Sequence, residues 1–547
     1  MSPNRFEMNL ENVVITGASI GLPGSNRKVF DENNFSDIVE GTNFIDSIPD
    51  SEQKKILDKN IKKIVKDEQG NRIIKPINKS SQIHKLAGLK GFIDLEKDYN
   101  IPKAIVLTLD KTYELAIAAG LEALKDAKIP LVPQDRNLTG SKGWELPKAY
   151  QKSTGIIFAS SFPVLDAISQ EITNYLENKL REEFVKEIKQ LHVKLQLESQ
   201  THQEKIFTDF LNVKKDEISG YQFDRKILFK LLVMGNAQLA QIIKAKGPNT
   251  TLNAACASTS QAVTLAEDWI KLGRCERVIV VGADDPTSDN LLQWIGTGFL
   301  ILGAASTKEK VEDAALPFDK RRNGMILGMG AVGLVVESEI SAKNRGIQPL
   351  CKVLGTHMAN SAYHGTALDI NHVSAELEEF ISRMEKVHNL QRKEMSKKLV
   401  YMSHETFTFA NGGAAKAEID ALNYVFRENL SNIIISNTKG YTGHPMGVGL
   451  EDAIAAYALK FNKIPPIANL KEKDPDLGDL KYATKSDEDF RYILRFAAGF
   501  GSQMVYLLLQ KYEEKMNNNR YEEWLRELFD GQVPVTNKGG ILKSYLE

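Results

Sequence analysis

The chain has 547 residues, of which 42% are hydrophobic and 26% charged. That is an ordinary globular composition with enough apolar material for a large core. Lys and Arg number 70 against 71 Asp and Glu, a net charge of −1, so no global field draws the chain to nucleic acid or a membrane surface. Cys256, Cys275 and Cys351 lie too far apart for a Cys-x-x-Cys metal or redox motif, and their scarcity points to a reducing compartment. The start, MSPNRFEMNLENVVITG, lacks the basic-then-apolar layout of a signal peptide. No apolar run approaches the ~18 residues of a membrane span. The expectation is a cytoplasmic protein with no membrane span, no nucleic-acid partner and no metal.

In chain order, the first strand is expected at 12–16, ending in the turn-rich GASIGLPGSN. Residues 28–100 are polar and mixed, with few clear elements. An amphipathic helix is predicted over 108–127, then a Pro- and Gly-rich loop through Trp144 and a buried strand at 155–160. Residues 170–230 are charged, helical in period and poor in Gly and Pro. Such a stretch is either a partner-binding helix or, the commoner case, the solvated face of an ordinary one. Next come an extended segment at 250–252, a helix at 256–272 ending at Gly273, and a β-branched strand at 277–282. A strand at 433–436 and a helix at 451–462 follow, and this alternation argues α/β. GMGAVGLVVE (328–337) and GFGSQMVYLLLQ (499–510) each place a Gly-rich turn before an apolar strand, which hints at a duplicated fold. The tail 511–547 is charged around YEEWLRELF and reads as a linker to another domain or a packing arm.

Cys256 sits in KGPNTTLNAACASTSQAVTLAEDWIKLG, among Ala254, Ala255, Ala257 and Ser258. A cysteine at a strand-to-helix turn lies near unpaired backbone N–H groups that favour the thiolate and lower a thiol pKa of ~8.5. Local context leaves a buried structural cysteine equally open. Cys275 and Cys351 lack this setting and read as structural. Among nine histidines, His404 opens HETFTFANGG after an apolar strand, and His444 lies in SNTKGYTGHPMGVGLEDA, five residues after Lys439. Both stand at strand ends.

Six segments in order resemble the β-ketoacyl synthase (ketosynthase) family of the thiolase superfamily, over about residues 11–510. They are Gly247-Pro248 with Ala255-Cys256-Ala257-Ser258; LPFDKRRNGMILGMGAVGLVVE; HETFT in place of H-G-T-G-T; Glu418-Ile419-Asp420-Ala421-Leu422; Lys439…Gly443-His444; and Gly499-Phe500-Gly501. The resemblance implies an α/β, thiolase-like, five-layered α-β-α-β-α fold of two similar halves. They would span 11–340, with a helical insertion near 170–225, and 345–510, ahead of the 511–547 arm. It implies an acyltransferase of polyketide or fatty-acid synthesis that performs decarboxylative Claisen condensation between an acyl-Cys256 and a malonyl-type thioester. Cys256 would be the nucleophile. His404 and His444 would bind the extender thioester oxygen and assist decarboxylation. Lys439 would hold His404 or a neighbouring acidic group. The N–H groups of Cys256 and Phe500, on the gating turn Gly499–Gly501, would form an oxyanion hole. Thr406 and Thr408 would bond the phosphopantetheine arm, and Glu418 would be structural near the site. The chain itself would bind no cofactor, because phosphopantetheine belongs to an acyl carrier protein. A homodimer is implied, with further domains of a multidomain synthase as other partners.

The departures from the family pattern are Glu405 and Phe407 for the glycines of H-G-T-G-T, Met329 for the Glu of G-E-G-A, and Ser502-Gln503-Met504 for G-T-N-A-H. Phe407 is expected to narrow or reshape the pantetheine tunnel. Two other readings compete. VVITGASIGLPG with Ser161 and Tyr175-x-x-x-Lys179 mimics a short-chain dehydrogenase, but the last Gly of that motif falls at Pro23. A non-condensing carrier-binding scaffold is supported by the HETFT departure alone.

Overall fold

A computed structural model of the chain describes residues 11–66, 72–133, 143–194, 221–365, 367–409, 413–485, 489–516 and 519–529. These fall in two compact units, residues 1–163 with 234–547, and residues 164–233. In the smaller unit a 30-residue helix, Leu165–Lys194, meets the charged period read from the sequence. It also exposes Ile172, Leu176, Leu180 and Phe184, which recur every four residues and so share a face. Polar solvation alone does not describe this helix. Lys179 pairs with Glu182 at 3.1 Å and Tyr175 stacks edge-on against Tyr221.

The larger unit is built on β1 (Val13–Gly21), α1 (Lys111–Asp126), β2 (Thr154–Ala159), β3 (Asn249–Leu252), α2 (Ser258–Lys271), β4 (Arg277–Asp284) and β5 (Gly330–Ser338). There follow β6 (Cys351–Asn360), α3 (Ile370–His388), β7 (Leu399–Met402), α4 (Gly413–Phe426), β8 (Ile434–Ser436), α5 (Leu450–Phe461), β9 (Lys481–Tyr482), β10 (Tyr492–Ala498) and β11 (Gln503–Lys511). The strands run in the order β9-β8-β7-β10-β11-β6-β1-β5-β4-β2-β3. One pattern occurs twice. β1 is antiparallel to β5 and β5 to β4, while β4 and β2 and then β2 and β3 are parallel. β6, β11, β10, β7 and β8 repeat these senses in the same order. Even the register shift recurs, at Ile15/Gly17 in β1 and Val353/Gly355 in β6.

The two sets meet through a three-residue antiparallel pairing of β1 with β6. α2 touches β2, β4 and β5 of the first set and β6 and β11 of the second, and α5 likewise touches both sets. These two helices form a central layer. α1 covers the outer face of the first set, and α3 with α4 cover the second, giving α-β-α-β-α. β4 and β5 are buried throughout, as strands covered on both faces are. α1 starts at Asp110, whose carboxylate accepts the Thr112 N–H at 2.9 Å, a standard N-cap.

β1 corrects two expectations. The segment GASIG is strand, not turn, paired with β5 as far as Gly21↔Ala331 and buried throughout. A Cβ at Gly17 would lie 2.4 Å from the Ala123 carbonyl of α1, so this glycine serves helix–sheet packing. No phosphate-binding turn exists here, which removes the dehydrogenase reading. The stretch 28–100 holds more structure than expected, including a helix Asp50–Leu57 and a hairpin of Lys62–Lys66 with Arg72–Pro76. These elements are too short for periodicity to show. At the other end, helix Arg520–Leu528 lies back on the larger unit. Trp524 Nε1 donates to the Tyr150 hydroxyl at 2.8 Å and the Tyr521 hydroxyl to the Lys128 carbonyl at 3.1 Å. Residues 530–547 lie outside the described residues.

Candidate active site

Cys256 occupies the turn from β3 into α2, and the helix starts two residues later than expected, at Ser258. Ala255 takes a left-handed φ of 48°, and the Ser258 hydroxyl bridges the turn by donating to the Ala255 carbonyl at 2.6 Å. The thiol is buried in an apolar cluster with Leu292, Phe299, Met325, Leu327 and Met446. Burial pushes its pKa up to about 12, against the charge of Lys439 and the N–H groups of Phe500 and Cys256 itself, which face the sulfur. The lowering expected at a helix N-terminus is therefore outweighed by desolvation.

Lys439, whose charge reaches the thiol, also reaches His404 and His444. His404 follows β7, and its N–H donates to Glu418 Oε2 at 3.0 Å. His444 is fixed by its own backbone, donating to the Ile326 carbonyl at 2.7 Å and accepting from Gly328 N–H at 3.0 Å. The rings meet edge to face, centroids 5.6 Å apart. Burial, and then Lys439, hold His404 well below the usual imidazole range and His444 down to about 3, so both are neutral at pH 7. Nδ1 of each ring is buried with no hydrogen-bond partner among the described residues. Unpaired buried nitrogens are costly.

Lys439 bonds neither histidine. Its ammonium donates to Glu451 Oε1 at 2.5 Å, and Arg495 donates to Glu451 Oε2 at 3.2 Å and Asp452 Oδ1 at 3.0 Å. Of the two roles expected for Lys439, the acidic partner is the one found. Burial alone would raise Glu451, but Lys439 and Arg495 hold it at about 2. Glu451 and Arg495 escaped the sequence reading. An acidic pair in the first turn of a helix looks like ordinary dipole compensation, and an arginine inside an apolar strand gives no hint of its partners.

The Gly499–Gly501 turn joins β10 to β11. A Cβ at Gly499 would lie 2.3 Å from the Ala254 carbonyl, and Gly501 has φ +92°, so both positions require glycine. The Phe500 ring is half-exposed and stacks edge-on against Phe299 at 5.7 Å. Thr406 and Thr408 place their hydroxyls 3.4 Å apart. Between them Phe407 adopts φ +61° yet is fully buried, among Ile45, Leu86, Ala314, Ala315 and Ile326. The phenylalanine thus fills a core cluster. Glu405 accepts from Phe407 N–H at 3.1 Å and Ala415 N–H at 2.7 Å and faces Arg322 at 3.6 Å. Burial pushes both Glu405 and Glu418 up to about 7.

The model of the family "Beta-ketoacyl synthase, N-terminal domain" matches residues 204–342, a span that includes Cys256. By that match, residues 204–342 are similar to the β-ketoacyl synthase family. The chain is 28% identical over 284 residues to 3-oxoacyl-[acyl-carrier-protein] synthase 2 of Staphylococcus aureus (strain COL), covering 51% of this chain and 66% of that protein. It is 29% identical over 273 residues to the oxytetracycline polyketide putative beta-ketoacyl synthase 1 of Streptomyces rimosus, covering 48% and 60%. These matches span just under two thirds of the relatives' own length. Among solved structures, the ishigamide ketosynthase/chain length factor aligns with TM-score 0.64 at 20% identity, over 92% of this chain and all of that one. A type II polyketide ketosynthase solved with its acyl-carrier protein aligns with TM-score 0.63 at 19% identity, over 91% of this chain and 99% of that one. The ketosynthase fold, thiolase-like with two similar halves, is thereby established.

Among the described residues no helix is long and apolar enough to cross a membrane, and no group of three or more His, Cys, Asp or Glu side chains is placed to hold a metal.

Proposed function

We propose that this chain is a β-ketoacyl synthase, a condensing acyltransferase working on carrier-bound thioesters. The observation that carries the reading is the constellation of Cys256, with two N–H groups facing its sulfur, and the His404–His444 pair backed by Lys439 and Glu451. In the first half-reaction the Cys256 sulfur attacks the thioester carbonyl of an acyl chain on a carrier phosphopantetheine. The Cys256 and Phe500 N–H groups hold the resulting oxyanion. The pantetheine thiol leaves and the acyl group remains on sulfur. In the second, a malonyl-type thioester loses CO₂ while His404 and His444 donate hydrogen bonds to its carbonyl oxygen. Neutral imidazoles suit that task, since each ring carries one N–H. The carbanion attacks the acyl-Cys256 carbonyl, a C–C bond forms, the C–S bond breaks and the thiolate returns. Thr406 and Thr408 bond the pantetheine arm. β3, the last strand at one end of the sheet order, offers an edge to a second copy and so suits a homodimer.

The test is intact-protein mass spectrometry of wild type and Cys256→Ala with acyl-pantetheine thioesters of several lengths, and of His404→Ala with a malonyl partner added. Wild type gains the acyl mass, Cys256→Ala does not, and His404→Ala is acylated but forms no β-ketoacyl product. Condensation by Cys256→Ala sinks the mechanism. No acylation of wild type by any donor favours the rival, a non-condensing carrier-binding scaffold, which Glu405 and Phe407 at the family's glycine positions support.

A further inference from the structure

Outside the site the larger unit holds one cluster of titratable side chains that reaches back towards Cys256. Glu376, on α3, lies between two histidines. Its Oε2 is 2.6 Å from His357 Nε2 on β6, and its Oε1 is 2.9 Å from His372 Nε2, one helical turn away. His357 stacks on Phe380 and takes a 3.4 Å contact at Nδ1 from Arg383, which also donates to the Thr356 carbonyl at 2.8 Å. His372 Nδ1 meets the Ser361 hydroxyl at 3.0 Å.

Ser361 begins a loop, 361–365, that grips the turn after Phe500. Ser361 N–H donates to the Ser502 carbonyl at 3.0 Å, and Gly501 N–H to the Gly365 carbonyl at 2.9 Å. The Ser502 hydroxyl accepts from His364 N–H at 3.2 Å and donates to the His364 carbonyl at 2.7 Å. Asn360, the last residue of β6, donates from its side chain to the Gly501 carbonyl at 2.9 Å. Gly501 and Ser502 both have positive φ, a conformation that must be held from outside when, as at Ser502, a side chain disfavours it. A continuous set of hydrogen bonds thus runs from Glu376 through His372, Ser361 and Ser502 to the turn whose Phe500 N–H faces the Cys256 sulfur.

We infer that Glu376, clamped by His357 and His372, is a positioning residue that fixes the loop 361–365 and, through it, the Phe500 N–H against the reacting carbonyl. In the tautomer with hydrogen on Nε2, both histidines donate to Glu376, and His372 Nδ1 is free to accept the Ser361 hydroxyl, so every contact is satisfied at once. One carboxylate orders β6, α3 and the loop together. The catalytic half of the inference rests on the proposed acyl transfer, whereas the structural half does not.

The experiment uses the full chain as wild type, Glu376→Ala and Glu376→Gln. Hydrogen–deuterium exchange reads the amides of 499–503, and single-turnover acylation by an acyl-pantetheine thioester reads the chemistry. Glu376→Ala should speed exchange at Gly501 at least tenfold. It should lower the maximal acylation rate at least tenfold, while the half-saturating thioester concentration moves less than twofold. The outright loss of an oxyanion donor costs about 10²–10³ in rate, and a displaced donor falls short of that. Alkylation of Cys256 by iodoacetamide, which needs no oxyanion hole, should change less than twofold. Glu376→Gln keeps one carbonyl oxygen to accept an imidazole N–H and should recover most of both losses. Unchanged exchange in Glu376→Ala overturns the inference whatever the activity. Faster exchange with an unchanged acylation rate overturns its catalytic half. If wild type accepts no acyl donor the proposed function fails instead, and the clamp stands or falls on the exchange data.

Discussion

The Lys439–Glu451 pair lends itself to a quantitative test. Both side chains are at most 2% exposed. A fully buried carboxyl held at about 2 against an ordinary value of 4.5 corresponds to about 3 kcal/mol of stability at neutral pH. That agrees with the about 3–5 kcal/mol lost when one partner of a buried ion pair is removed. Glu451→Gln should therefore lower the unfolding temperature by about 3 °C in a domain of this size. Lys439→Met should cost a similar amount. The double variant Lys439→Met/Glu451→Leu should cost clearly less than the two together, because no charge is left stranded and Arg495 keeps Asp452 at 3.0 Å. Because Glu451 has a depressed value, its contribution is present above about pH 4.5 and fades as pH falls towards 2. The stability gap between wild type and Glu451→Gln should be flat above pH 5 and narrow only below about 4.5. Urea titrations across pH read all of this. Single variants costing under about 1 kcal/mol, additive costs in the double variant, or a gap that narrows at neutral pH would each refute the reasoning.

Two further outcomes are expected. In Gly499→Ala the new methyl group meets the Ala254 carbonyl, a backbone atom two residues from Cys256. The turn must move, so stability should fall by about 1–3 kcal/mol and acylation by about 10²-fold, read by thermal melts and single-turnover mass spectrometry. Trp524→Ala removes a buried ring and the bond to Tyr150. It should cost about 3–5 kcal/mol in a urea titration and leave the acylation rate within twofold, because the Trp524 helix lies on the α1 and β2 side of the unit.

Local chemistry made some elements legible in advance. The strand at 277–282 and the helix at 108–127 declare themselves by β-branched content and period, and both stand within a few residues of the expectation. Where the sequence reading erred, the missing information was tertiary. GASIG looks like a turn because small residues are turn residues, yet here they are small because α1 lies on them. Phe407 looks like an obstruction in a substrate channel, yet the core beside it had room for a ring. The short elements of 28–100 carry too few residues for any period to emerge.

The candidate site divides the same way. By itself the sequence determined which side chains have the chemistry to act: a cysteine among small residues, two histidines after strands, a lysine near one of them, and a glycine-flanked phenylalanine. Their order along the chain pointed to a known family. Only the tertiary structure decided what each one faces. It gave Lys439 to Glu451 and Arg495, turned the Phe500 N–H towards Cys256, set the histidine rings edge to face, and raised the thiol pKa by burial. Residue type and spacing act through bonds a few positions long, whereas desolvation and ion pairing depend on neighbours contributed by segments up to some 250 residues away, and no local pattern encodes them.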